Sequence, residues 1–97
     1  MNLRLISSEH VTSDVHSFYF ENYPSQSWTA GQFIEYRLPH ENTDDRGDKR
    51  WFTIASAPHE NRIQITTRLQ MPSSSFKQAL AALKSGDYIE AKEPEGD

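Results

Sequence analysis

The chain reads as all-β: a closed antiparallel barrel carrying a single helix. Three observations lead there. Apolar residues recur with a period of two along several short stretches, as half-buried strands require. A single stretch, late in the chain, keeps a helical period. Strand-like and helix-like stretches do not alternate, so a doubly wound parallel sheet is not indicated. The 97 residues have room for one domain around one core.

In chain order, Leu3 and Leu5 alternate with Asn2 and Arg4 and lead into Ile6, a first strand. Ser8 to Asp14 is polar and reads as a hairpin connection. Val15 to Phe20 is β-branched and aromatic, with Phe18 and Phe20 on one face. Tyr23 to Ser27 has the composition of a loop, and Gly31 can take a positive φ just before the strand Phe33 to Leu38. Pro39 to Lys49 is polar and rich in Asn and Asp, the expected mobile excursion. A fourth strand runs from Arg50 to Ala55 and stops before Pro58. Arg62 to Arg68 alternates again and sets Ile63, Ile65 and Thr67 on one face.

Phe76, Ala79, Leu80 and Leu83 then form one apolar helical stripe. Ser75 with Gln78 fits a capping box, and Gly86 after Lys84 fits a C-terminal stop. Tyr88 to Lys92 is a last strand, from which Glu93 to Asp97 turns away. The result is about six strands, with one helix inserted before the last.

Composition narrows the function. Hydrophobic residues at 35% and charged residues at 25% argue against disorder. A net charge of −4 without a basic cluster argues against a nucleic-acid partner. The absence of cysteine excludes a disulfide framework, and Cys-ligated zinc or iron–sulfur clusters within these residues. No apolar run approaches the roughly 20 residues of a membrane span, and the N-terminus lacks a signal-peptide core. The expectation is a cytoplasmic protein with no membrane partner. The four histidines are scattered, and Asp44, Asp45 and Asp48 lack the closing Glu of a calcium loop, so no metal site is expected.

The stretch Arg50-Trp51-Phe52-Thr53-Ile54-Ala55-Ser56 resembles the Arg-x-Tyr-Ser signature of the ferredoxin–NADP reductase family, with the Ile-Ala-Ser that often follows it. Ala30-Gly31-Gln32-Phe33 is similar to the family's turn upstream of that signature. Downstream, Ile65-Thr66-Thr67-Arg68 resembles the strand ending in a basic residue, and Ser73-Ser74-Ser75 the opening of the phosphate-receiving helix. Leu83 to Asp87 and Glu93 to Gly96 resemble the Leu-x-x-Gly-Asp and Pro-x-Gly elements. The order and span of these motifs cover almost the whole chain.

The resemblance implies a six-stranded antiparallel Greek-key barrel with one capping helix, residues 1–97 being an FAD-binding domain. The family's C-terminal nicotinamide-binding domain is absent from these residues. It implies FAD as cofactor, NAD(P)H as a partner through that second domain, and an iron–sulfur or other redox protein as acceptor. The chain by itself would then be an incomplete, inactive part of the reductase.

A flavin needs an aromatic side chain against its flat ring, hydrogen-bond partners near N5 and cations or N–H groups for its phosphates. By the resemblance, Arg50 meets the phosphate, Phe52 lies on or beside the ring, and Thr53 hydrogen-bonds near N5 as the catalytic candidate. Trp51 belongs to the same signature. Ser74, Ser75 and Phe76 open the helix, and Thr67 and Arg68 lie just before it, within reach of the phosphates or ribose. The serines offer a phosphate position beyond Arg50, which favours FAD over FMN.

Phe52 departs from the usual Tyr and lacks its hydroxyl; Thr53 in place of Ser keeps the hydroxyl and adds a methyl that restricts its rotamers. Taken singly, these residues have plainer readings: Phe52 as core, Arg50 as a solvated charge, Ser75 as a helix cap. Trp28 is open between core and surface. The competing function is a small β-barrel binding or interaction module without redox activity, for which an oligonucleotide-binding barrel would need a basic groove with exposed aromatics.

Overall fold

The computed structural model describes residues 1–70 and 73–96; Asp97, at the end of the acidic tail, lies outside the described residues. The elements are β1 (Asn2–His10), β2 (Val15–Glu21), β3 (Phe33–Arg37), β4 (Lys49–Thr53), a 3-10 turn (Pro58–Glu60), β5 (Arg62–Arg68), α1 (Ser75–Ala81) and β6 (Tyr88–Ala91). The six strands make one sheet in the order β4-β3-β6-β1-β2-β5, every pair antiparallel. The last strand thus inserts between the first and the third, the long-range crossing of a Greek key. Among the described residues no helix is long and apolar enough to cross a membrane.

The alternating apolar residues do what their period demands. Leu3, Leu5, Phe18, Phe20, Ile34, Ile63, Ile65 and Ile89 are all buried in one core, where each such side chain contributes roughly 1.5–3 kcal/mol. β1 is longer than expected. Ser8, Glu9 and His10 remain paired with Phe18, Ser17 and His16, although their own side chains are exposed. Apolar periodicity detects burial, not backbone pairing, so it misses a strand that has left the core. Trp28 is core: it is buried, and its indole Nε1 donates to the Ser56 carbonyl at 3.0 Å.

Two expectations need correction. The ladder does not close into a full barrel, because β4 and β5 remain as sheet edges. Past Thr53 the Ala55 N–H reaches the Gln64 carbonyl at 2.9 Å. Among the described residues no backbone hydrogen bond joins Lys49–Thr53 itself to β5. The helix covers the opening instead, its Phe76 and Leu80 fully buried in the core.

The helix cap also differs. Ser74, not Ser75, is the N-cap, its hydroxyl accepting the Lys77 N–H at 3.2 Å, while the Gln78 amide donates to the Ser73 carbonyl. The helix ends at Ala81, and Gly86, at φ +97°, serves the turn into β6, where its N–H donates to the Leu5 carbonyl.

Candidate functional site

Antiparallel register sets the faces of β4. Arg50 lies opposite Tyr36 and Phe52 opposite Ile34, two fully buried residues, so Arg50 and Phe52 point to the inner face. Trp51 and Thr53 lie opposite Glu35 and Phe33 on the outer face, Trp51 being 57% exposed. Thr53 is therefore parted from Arg50 and Phe52 by the strand itself, as strict alternation requires.

The Arg50 guanidinium is fastened at one nitrogen and idle at two. Nη1 donates to the carbonyls of Lys49 at 2.6 Å, Arg46 at 3.1 Å and Gly47 at 3.3 Å. Nε and Nη2 are buried, with no hydrogen-bond partner among the described residues. Its Cζ sits 5.2 Å from the Phe76 ring centroid, close enough for a cation–π contact. Burial, then nearby Arg46, lowers its pKa against the pull of Asp44, but an arginine remains charged. Each buried donor left unmet costs about 1–3 kcal/mol, so an acceptor-rich anion is the natural complement.

Phe52 is half-buried. Its ring centroid is 6.0 Å from Tyr36 and 6.1 Å from Phe76, so it joins the rim of the core without being enclosed by it. The Tyr36 hydroxyl is buried, with no hydrogen-bond partner among the described residues, and burial raises its pKa.

At the end of β5, Thr67 is half-buried and Arg68 is exposed, paired with Asp14 at 3.1 Å. A cleft of about 220 Å³ is lined by Arg46, Arg68, Lys77, Gln70, Ser73 and Ser74, three cations with no acid among them. Lys77 Nζ donates to the Arg68 carbonyl at 2.9 Å, which ties helix to strand. Arg46 and Lys77 escaped the sequence reading. Arg46 reaches the cleft only because the β3–β4 connection folds back, and no local pattern marks that.

Ser75 faces the β3–β4 connection. Its N–H donates to Asp44 Oδ2 at 2.9 Å, its Oγ accepts the Asp44 N–H at 3.0 Å, and Oγ lies 2.8 Å from His40 Nε2. The Ser75 N–H, ahead of other neighbours that include Arg46 and Arg50, holds the Asp44 carboxyl below its ordinary range. The supposed mobile excursion is thus bonded to the helix. Among the described residues no group of three His, Cys, Asp or Glu side chains is placed to hold a metal ion.

Idle guanidinium donors beside a half-open aromatic ring and a cationic cleft suit a ligand anionic along one part and flat and apolar along another, as FAD is. The family model described as the oxidoreductase FAD-binding domain matches residues 2–97. No curated protein sequence is similar enough to this chain to count as a relative.

Among solved structures, the chain is similar to a ferredoxin NADP+ reductase from Neisseria gonorrhoeae with bound FAD and NADP (TM-score 0.80, 18% identity, 100% of this chain and 38% of that one). It is also similar to phthalate dioxygenase reductase (TM-score 0.80, 18% identity, 100% and 30%). A third is the cytochrome b5 reductase domain of Ulva prolifera nitrate reductase (TM-score 0.73, 22% identity, 98% and 40%). The chain spans well under half of each of these three structures.

Proposed function

Because this chain belongs to the oxidoreductase FAD-binding domain family, we propose that residues 1–97 are the flavin-holding domain of a reductase that moves electrons from NAD(P)H to an iron–sulfur or other redox protein. The cofactor is FAD. In this reading NAD(P)H binds a separate α/β domain. All strand pairs among the described residues are antiparallel, whereas dinucleotide-binding units are built on parallel βαβ crossovers.

The observation that carries the reading is the pair of buried Arg50 nitrogens, without a partner among the described residues, beside the half-open Phe52 ring. Arg50 takes a cofactor phosphate through Nε and Nη2. Phe52 lies against the isoalloxazine, and Thr53 offers a hydroxyl near N5. These two residues are on opposite faces, but β4 is an edge strand, and a ligand folded over an edge can meet both. Trp51 lies beside Thr53 on the outer face and screens that end of the ring from water.

Thr67, Arg68 and Ser74 receive the remaining phosphate or ribose, with Phe76 as the floor under Arg50. Ser75 reaches a phosphate only by releasing Asp44, so its contribution is to hold the loop. When bound, FAD supplies hydride acceptance and one-electron release; the protein's residues bind it, orient it and limit water at the ring.

Calorimetric titration of the purified chain with FAD and FMN tests this. FAD is expected to bind, with FMN weaker because the cationic cleft then has no second phosphate to hold. Failure of both flavins to bind would sink the reading, and equal affinity would remove the cleft from it.

A further inference from the structure

The β3–β4 connection folds as a unit. The Leu38 N–H reaches the Asp48 carbonyl at 2.9 Å and the Gly47 N–H the Asp44 carbonyl at 3.0 Å. The Thr43 hydroxyl donates to the His40 carbonyl at 2.7 Å, and the Arg46 N–H to Asp44 Oδ1 at 3.0 Å. Among the described residues, the hydrogen bonds between this unit and α1 all go to Ser75. His40 Nδ1 lies 2.6 Å from the Leu38 carbonyl, which can only accept, so Nδ1 carries the ring proton. In the neutral ring Nε2 then accepts the Ser75 hydroxyl, whose oxygen in turn receives the Asp44 N–H. Donation runs one way, from the Asp44 N–H through the Ser75 hydroxyl and the His40 ring to the Leu38 carbonyl just past β3.

Arg50 rests on that loop. Two of the three carbonyls holding Nη1 belong to Arg46 and Gly47, directly after Asp44 and Asp45. A long, flexible side chain keeps two idle nitrogens aimed one way only if its third is anchored to something that does not move. We propose that His40, Ser75 and Asp44 form a latch that positions Arg50 for the cofactor's phosphate; this role rests on the flavin reading above. His40, Ser75 and Asp44 are positioning residues, since they act through Arg50.

The opposite role for Asp44 is that of a carboxylate lowering the local affinity for anions, and the sign of one substitution separates the two. Asp44→Ala removes a negative charge near the phosphate site, which by charge alone tightens FAD binding. A latch makes it weaken binding instead, by about tenfold. Asp44→Asn keeps one oxygen for the Ser75 N–H, loses the acceptor for the Arg46 N–H and removes the charge, so it is expected to bind FAD more tightly than Asp44→Ala. In an Arg50→Ala background, Asp44→Ala is expected to have no further effect, as coupling through Arg50 requires.

A second measurement needs no cofactor. In the apo-protein the buried Arg50 Nε–H should give a slowly exchanging NMR signal, identified by its loss in Arg50→Lys. Asp44→Ala and Ser75→Ala are expected to speed its exchange about tenfold or more, and Asp44→Asn, which keeps one of the two acceptors, to speed it less. Unchanged exchange in both alanine variants, or tighter FAD binding by Asp44→Ala, overturns the latch. If wild type binds no FAD, the flavin reading falls, and the exchange measurement still decides the latch.

Discussion

At the scale of single residues, Arg50 and Phe52 are each held in the fold and yet left partly open. Arg50 is neither a solvated charge nor a closed structural ion pair, since one nitrogen is anchored and two have no partner among the described residues. Arg50→Ala is expected to weaken FAD binding by about 1.5–3 kcal/mol, the scale of a charge-assisted hydrogen bond, with a smaller loss at high salt; calorimetry at two ionic strengths reads both. Phe52 packs on Tyr36 and Phe76 from a half-buried position. Phe52→Ala should therefore cost apo stability about 1.5–2.5 kcal/mol, roughly half the loss for an enclosed Phe, together with FAD affinity. Phe52→Tyr should melt like wild type. Trp51→Ala, at a side chain 57% exposed, should change apo stability by no more than about 0.5 kcal/mol, as denaturant unfolding would register.

At the scale of elements, α1 and the connection that meets it hold the inner face of β4 in place. Ser74→Ala removes the N-cap and is expected to cost about 1 kcal/mol in urea unfolding; the same loss from Ser75→Ala would have to come from the loop contacts. Asp44 brings a pH dependence. Its folded pKa lies below the ordinary 3.8 because the Ser75 N–H favours the charged form. A carboxyl whose folded pKa is depressed adds stability above the unfolded value and loses it as pH falls through the folded one. Urea midpoints of wild type should accordingly fall more steeply below about pH 4 than those of Asp44→Asn. Glu60, whose carboxylate accepts the Ala57 N–H at 2.7 Å, is shifted in the same direction and steepens both curves alike.

At the scale of the molecule, the two halves of the sheet are stitched by β6 between β1 and β3, so they should unfold together in one transition. The same chain is expected to bind FAD and, if hydride delivery belongs to a separate domain as proposed, to show no steady NADH or NADPH oxidation; sustained turnover would contradict that division. What the sequence by itself determined is local: the strand and helix periods, the pairing of Arg50 with Phe52 on one face and the turn positions. These follow from the alternation of side chains along one strand or around one helix, which neighbouring residues fully specify. The tertiary structure alone decided the open edge between β4 and β5, Ser74 as the helix cap, Trp28 as core, and the meeting of Arg46, Asp44 and His40 with Arg50 and α1. The burial of Trp28 and the meeting of His40 and Asp44 with α1 bring together residues 28, 35 and 31 apart in the chain, through strand order and loop folding, and a contact between distant segments leaves no periodic trace in either one.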